Sequence, residues 1–161
     1  MDALKLLEEQ HAEVDELLTK LEKARSDEKK KALFTEMADK LAAHATIEEK
    51  LFYPAVKSQK TEELVLESAE EHLSIKRVLA DMLSLEVDDE QFDAKLSVLK
   101  EQVDHHAHEE EEKELFPKVR KLLSKDELEG LGGEMSAMFE ELMTKSPRKN
   151  IPSETDQAAT I

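Results

Sequence analysis

Apolar side chains recur along this chain at alternating steps of three and four, the spacing that gathers them on one face of an α-helix. Leu4, Leu7, His11, Val14, Leu18 and Leu21 form one stripe, and Phe34, Met37, Leu41, His44, Glu48, Leu51 and Ala55 a second. Val65, Ser68, His72, Ile75, Leu79 and Met82 form a third, and Val98, Glu101, His105, His108, Glu112, Leu115, Val119 and Leu122 a fourth. Polar breaks around Ser26-Asp27, from Ser58 to Thr61 and from Val87 to Glu90 separate them, with Asp88 and Asp89 placed to cap the fourth helix. Connections this short favour antiparallel neighbours, so the expected fold is all-α, an up-down-up-down four-helix bundle over residues 1–123. Ser124 and Glu127 read as a capping box that opens a shorter fifth helix over 124–145, weakened in its first half by Gly130, Gly132 and Gly133. Residues 146–161, SPRKNIPSETDQAATI, have two prolines and no periodic apolar face, and read as a disordered, flexible tail.

Composition removes most other possibilities. All three glycines lie at or beyond position 130, so residues 1–129 lack the glycines that hairpins, phosphate loops and dinucleotide-binding turns need. There is no cysteine, hence no disulfide, thiolate zinc site or iron–sulfur ligand, and any metal must be held by nitrogen and oxygen. The 39 acidic residues against 23 basic ones give a net charge of −16, which repels phosphate backbones and anionic lipid, so no nucleic acid and no membrane is expected as a partner. No segment approaches the roughly 20 apolar residues of a membrane span. The start, MDALKLLEEQ, lacks the basic and apolar regions of a signal peptide, so a cytoplasmic location is expected.

The chain also repeats itself. Residues 9–18, EQHAEVDELL, match 70–79, EEHLSIKRVL, and residues 44–54, HATIEEKLFYP, match 108–117, HEEEEKELFP. The alignment superposes His11 on His72, His44 on His108 and Glu48 on Glu112, so four of the six histidines hold repeat-equivalent places. A histidine or carboxylate in a bundle seam is costly unless it is paired or bound to a metal. Any one of these residues alone reads as a hydrogen-bonded core group. Six at one level, with His44/Glu48 and His108/Glu112 each one helical turn apart, read as a pocket for two first-row metal ions. Iron, manganese and zinc suit such donors, and bridging carboxylates favour a redox pair, so iron is preferred.

These residues resemble the hemerythrin-like family, named for its His-His-Glu cation-binding motif. His11, HATIEEKLFYP, His72, HEEEEKELFP and the Leu-Phe-(Tyr)-Pro end of each second helix carry the resemblance across residues 1–123. It implies a non-haem di-iron centre, two iron ions bridged by Glu48 and Glu112 and by an oxo or hydroxo group. His11 and His44 would hold one iron, His72 and His108 the other. The oxygen-carrier pattern has a fifth histidine four residues after the third-helix one, where this chain has Lys76. His105, one turn before His108, is a candidate for the missing place, and the alternatives are an outer supporting group or an open position. His106 is read as pointing away from the seam. Tyr53 is a candidate hydrogen-bond donor or phenolate ligand, with simple packing as the alternative. Glu49 is a chelating alternative, and only Glu112 of the Glu109–Glu112 run is read as turned inward. Pro54 and Pro117 should end or kink their helices.

The function expected from this site is binding or sensing of dioxygen or nitric oxide, or holding of iron, without catalysis. The alternatives are a di-iron oxidoreductase of peroxidase, catalase-like or ferroxidase type, and a metal- or oxygen-responsive regulatory module. The ferroxidase form is weakened because only Glu8 to His11 matches a Glu-x-x-His motif, with Ala69 at the equivalent place. No protein partner can be named from these residues.

Overall fold

Asp2, Ser26 and Asp89 each turn a side-chain oxygen onto a backbone N–H one turn ahead, at 2.8 Å to Lys5, 3.2 Å to Lys29 and 2.8 Å to Gln91, and so start three of the long helices. The computed structural model describes residues 1–161 as all-helical, with no strand. Helix α1 spans Ala3–Lys23 and α2 Asp27–Ile47, and α2 runs on through a π-helical segment, Glu48–Phe52, into α3, Tyr53–Val56. Helix α4 spans Glu62–Leu83; α5, Glu90–Asp104, continues through a longer π-helical segment, His105–Leu115, into α6, Phe116–Leu122. Helix α7, Lys125–Met143, opens with the expected capping box between Ser124 and Glu127. Along α1 and α2 the contacts run in opposite senses, Gln10 meeting His44 and Glu13 meeting Lys40. No helix is long and apolar enough to cross a membrane.

The first and third stripes are buried as their spacing requires. The second is buried through Glu48 but not beyond, since Leu51 is half-buried and Ala55 exposed while Phe52, Tyr53 and Val56 are inside. The fourth lies on a different face from the one expected as far as Glu112, whereas its Leu115 and Val119 are buried as expected. Val98 is 45% exposed, Glu101 and His105 are exposed, and the buried run is Phe92, Leu96, Leu99 and Val103, followed by His106 and Ala107. The shift of the second stripe beyond Glu48, and the inward place of Glu111 rather than Glu112, have one cause. A π-helix bonds each N–H to the carbonyl five residues back, so its inward positions recur at wider steps than those of an α-helix. Tyr53 donates its backbone N–H to the Glu48 carbonyl, and Phe116 to that of Glu111. Pro54 and Pro117 follow at once. They neither end nor break the chain's helical path, because each sits in the first turn of a new α-segment, where its missing N–H costs nothing.

The apolar core forms two clusters. One runs from Val14, Leu18, Leu41 and Ile75 to Phe92, Leu99 and Val103; the other joins Leu4, Leu7, Ile47, Phe52, Val65, Leu115 and Phe116. His11, His44, His72, His106 and Glu111 fall between them in sequence and, with Glu48 beside Ile47, form a buried polar level.

Residues 146–161 depart from the disordered tail read in the sequence. Ser146 takes a left-handed conformation (φ 51°) that turns the chain into a 3-10 helix, Pro147–Glu154, laid against α2 and α4. Pro147 and Ile151 are buried there, and Arg148 donates both its backbone N–H (3.0 Å) and its guanidinium (2.9 Å) to Asp39. One deeply buried side chain in a short segment carries no period to detect. Its transfer from water is nonetheless worth about 1.5–3 kcal/mol.

Helix α7 lies on α1 and α2, and Gly132 is where it comes closest to the start of the chain: a Cβ there would stand 2.3 Å from the Met1 carbonyl oxygen and 2.8 Å from the Ala3 nitrogen. That obstacle is backbone and cannot rotate aside. Gly132→Ala is expected to destabilise the fold by about 1–3 kcal/mol, read as a fall of several degrees in Tm. Gly133→Ala, with nothing within 4 Å, should be neutral or stabilising in the same melt.

Candidate metal centre

Each of four helical elements delivers one histidine to the polar level: α1 His11, α2 His44, α4 His72, and the long π-helical segment His106, all at most 5% exposed. Their rings share one arrangement. Each Nδ1 is taken by a group outside the centre: Glu112 for His11 (2.6 Å), Gln10 for His44 (2.7 Å), Glu49 for His72 (2.6 Å) and Glu71 for His106 (2.7 Å). A proton on Nδ1 donated outward leaves Nε2 as the inward lone pair, which fixes tautomer and ring orientation in the way metal-binding histidines are fixed. The Nε2 atoms of His72 and His106 lie 3.0 Å apart, an approach suited to two donors converging on one point.

Two fully buried carboxylates complete the level. Glu48 touches His44 Nε2 with one oxygen and lies 3.9 Å from His72 Nε2 with the other, so it reaches both sides. Glu111 Oε1 sits between His11 Nε2 (3.2 Å) and His106 Nε2 (3.4 Å), and its Oε2 accepts the Tyr53 hydroxyl proton at 2.8 Å. His11, His44, Glu48 and Glu111 place one donor atom each within 4.8 Å of the others, and so do Glu48, His72 and His106. Glu48 belongs to both groups.

Without a cation, four of these donor atoms have no hydrogen-bond partner: His11 Nε2, both oxygens of Glu48 and Glu111 Oε1. Orphaned buried polar atoms cost about 1–3 kcal/mol each. A cation at the centre satisfies all four at once, so the residues present fit a bound metal, and nitrogen with carboxylate oxygen suits iron, manganese or zinc. Before any cation binds, the same neighbours set the protonation of these groups. Burial works against charge on His11, but the Glu111 carboxylate 3.2 Å away, the hydrogen bond to Glu112 and the surrounding carboxylates raise it to about 10; His106 stands at about 9 by the same opposition, with Glu111 and Glu71 outweighing burial. His44, dominated by burial and next by the His11 charge, falls well below the usual value. Burial and the Glu111 and Glu48 charges push the Tyr53 phenol well above its usual range, so it is a neutral O–H donor. A metal that takes the histidine nitrogens displaces the protons they hold.

Of the residues the sequence singled out, His11, His44, Glu48 and His72 come together, with Tyr53 beside them. His108 and Glu112 do not join them. His108 is partly exposed and bonded through Nε2 to Asp15 at 2.7 Å, and Glu112 supports His11 from outside. His105 is exposed, 3.3 Å from Glu71, and the inward places expected of His105, His108 and Glu112 are taken by His106 and Glu111. The tyrosine hydroxyl also lies 3.2 Å from His72 Nε2 and 3.3 Å from His106 Nε2. Glu49 bonds His72 and Lys76, and within the Glu109–Glu112 run Glu110 and Glu111 are the buried members. A signal for His106 was present: Phe92, Leu96, Leu99 and Val103 step by four, three and four, and three more residues reach His106. Glu111 then follows at five, a π-helical step that no α-helical count supplies.

The family model described as hemerythrin HHE cation binding domain matches residues 2–119, which include every residue of this cluster. A crystal structure of a hemerythrin HHE cation binding domain-containing protein from Mycobacterium kansasii aligns with a TM-score of 0.80 at 26% identity, over 96% of this chain and 94% of that one. No curated protein matches the sequence. Buried histidines and carboxylates, an all-helical frame and a match over most of the chain agree: this protein belongs to the hemerythrin HHE cation binding domain family.

Proposed function

We propose that the protein holds two iron ions in an antiparallel up-down-up-down bundle and binds or senses a small diatomic ligand, dioxygen or nitric oxide, beside them. His11 and His44 serve one ion, His72 and His106 the other, and Glu48 and Glu111 bridge. The observation that carries this reading is the space against the cluster. A cavity of about 30 Å³ is lined by His11, His44, His72 and His106 on one side and by apolar side chains on the other. It exceeds the roughly 10–15 Å³ that one water needs, and takes a molecule of two heavy atoms. Iron, if held by these histidines and carboxylates, would supply reversible electron transfer to a small ligand, while the protein sets access and proton supply.

A second reading, an oxidoreductase acting on peroxide, rests on Tyr53. Its neutral hydroxyl donates into the cluster through Glu111, and Lys76 reaches the cavity wall, so proton donors stand on two sides of the site. Return of the oxidised protein to its starting state separates the two readings.

Replacing His106 with Ala is expected to remove about one metal ion per chain, since a lost ligand leaves an incomplete site, whereas His105→Ala and His108→Ala keep the full content. Metal analysis after reconstitution decides this, and loss in the His108 variant with retention in the His106 variant reverses the ligand assignment. Anaerobic loading with ferrous iron should give two ions per chain and an optical band that appears in air and vanishes when oxygen is withdrawn. Permanent conversion to a ferric spectrum moves the reading to peroxide chemistry or iron oxidation.

A further inference from the structure

The four long helical stretches supply every wall of the cavity beside the cluster except one. Val14, Leu41, Ile75, Leu79, Val103 and three alanines come from those helices, and the ninth apolar side chain, Ile151, comes from the C-terminal 3-10 helix that lies against α2 and α4. Ile151 is 2% exposed and belongs to the same apolar cluster as its neighbours. This segment lies beyond residue 119, where the family match stops.

Polar contacts hold the segment down at both ends. Arg148 is fixed to Asp39 on α2. At the other end Lys76 Nζ donates to Glu154 at 2.9 Å, and Arg77 donates to the backbone carbonyls of Thr155 (3.0 Å) and Asp156 (3.3 Å). The Lys76 contact reaches the centre, because the same ammonium donates to Glu49 at 2.9 Å and Glu49 accepts from His72 Nδ1 at 2.6 Å. Lining the cavity and bonded to the segment at once, Lys76 joins the position of the strap to the setting of one histidine.

We propose that residues 147–156 form a strap over the small-ligand cavity and that Ile151 is the residue that sets its size limit, admitting molecules of two heavy atoms and excluding longer ones. The proposal rests on the small-ligand reading for what enters, and on the strap contacts alone for closure. With the strap seated, a ligand meets an apolar wall and a space with no room for its own hydration. With the strap lifted, the groove between α2 and α4 opens onto His44 and His72, and Lys76 loses one of its two carboxylate partners.

Two measurements on the full chain test this. In the metal-free protein, trypsin cleavage after Arg148 and Lys149, followed by mass, reports how often the strap lifts. The double variant Arg77→Ala/Glu154→Gln should be cut there about tenfold faster than the wild type. Wild-type cleavage as fast as that of the isolated 140–161 peptide overturns the strap. In the iron-loaded protein, azide, with three atoms in line, is compared with nitric oxide by stopped-flow absorbance. Ile151→Ala and the double variant should each speed azide association about tenfold while nitric oxide changes far less, with iron content unchanged. Azide rates equal in all three proteins overturn the size limit. A wild type that takes up no iron overturns the functional reading instead, and the proteolysis then decides closure by itself.

Discussion

Six ionisable side chains are buried together in the middle of this protein, and the rest of the structure is arranged around that cost. Removing a charged group from water costs several kcal/mol even after relaxation, and here His11, His44, Glu48, His72, His106 and Glu111 are all nearly or fully buried. The offset comes in two layers. Inside, histidine nitrogens and carboxylate oxygens face one another at 3.2 to 3.9 Å across the level. Outside, Gln10, Glu49, Glu71 and Glu112 each accept an imidazole N–H, so that no ring can turn without breaking a bond. The apolar clusters above and below are what holds the helices close enough for this to work. Neither layer would form alone.

The π-helical segments are the local response to the same constraint. Wide turns are rare because their bonding geometry is poorer, and they persist where they re-aim side chains at a functional site. Glu48 begins one such segment and Glu111 lies within the other, and each accepts a backbone N–H from five residues ahead. His44 and Glu48 still lie four apart, on the α-helical side of the first segment, while His106 and Glu111 lie five apart inside the second. The two hairpins therefore reach nearly the same inward geometry by different counts. This is why an alignment anchored on the shared Leu-Phe ends pairs His44 and Glu48 with His108 and Glu112, while the side chains turned inward are His106 and Glu111. The prolines that follow fix where α-helical bonding resumes.

Much of the fold was legible because it rests on periods that an α-helix imposes. The stripes through Leu4 to Leu21 and Val65 to Met82, the capping residues Asp89 and Ser124 and the breaks between helices all follow from local rules, and His11, His44, Glu48 and His72 came with them. What escaped was whatever the α-helical period does not govern. Val98 opened a plausible stripe that faces solvent, and once that face was chosen His105, His108 and Glu112 followed it outward. The Phe92 to Val103 run pointed to His106 but gave no means of reaching Glu111. The strap escaped for another reason. It is held by Ile151, Arg148 and Glu154 against partners more than 75 positions away in sequence, a long-range match that composition cannot display.

Lys76 shows how one departure from the family pattern is absorbed. Burial opposes its charge, but Glu49 and Glu154 outweigh burial and raise its pKa, so it stays an ammonium with no lone pair to offer a cation. A histidine at this place could enter the centre, whereas lysine holds Glu49 against His72 from one side and the C-terminal segment from the other. Histidine would do only the first of these things, and it lacks the length and charge for the second. Lys76 is thus an anchor at the edge of the level and not a donor inside it. Lys76 adds to the Arg148–Asp39 and Arg77 contacts that hold the C-terminal segment down, and it alone among them also reaches the support of His72.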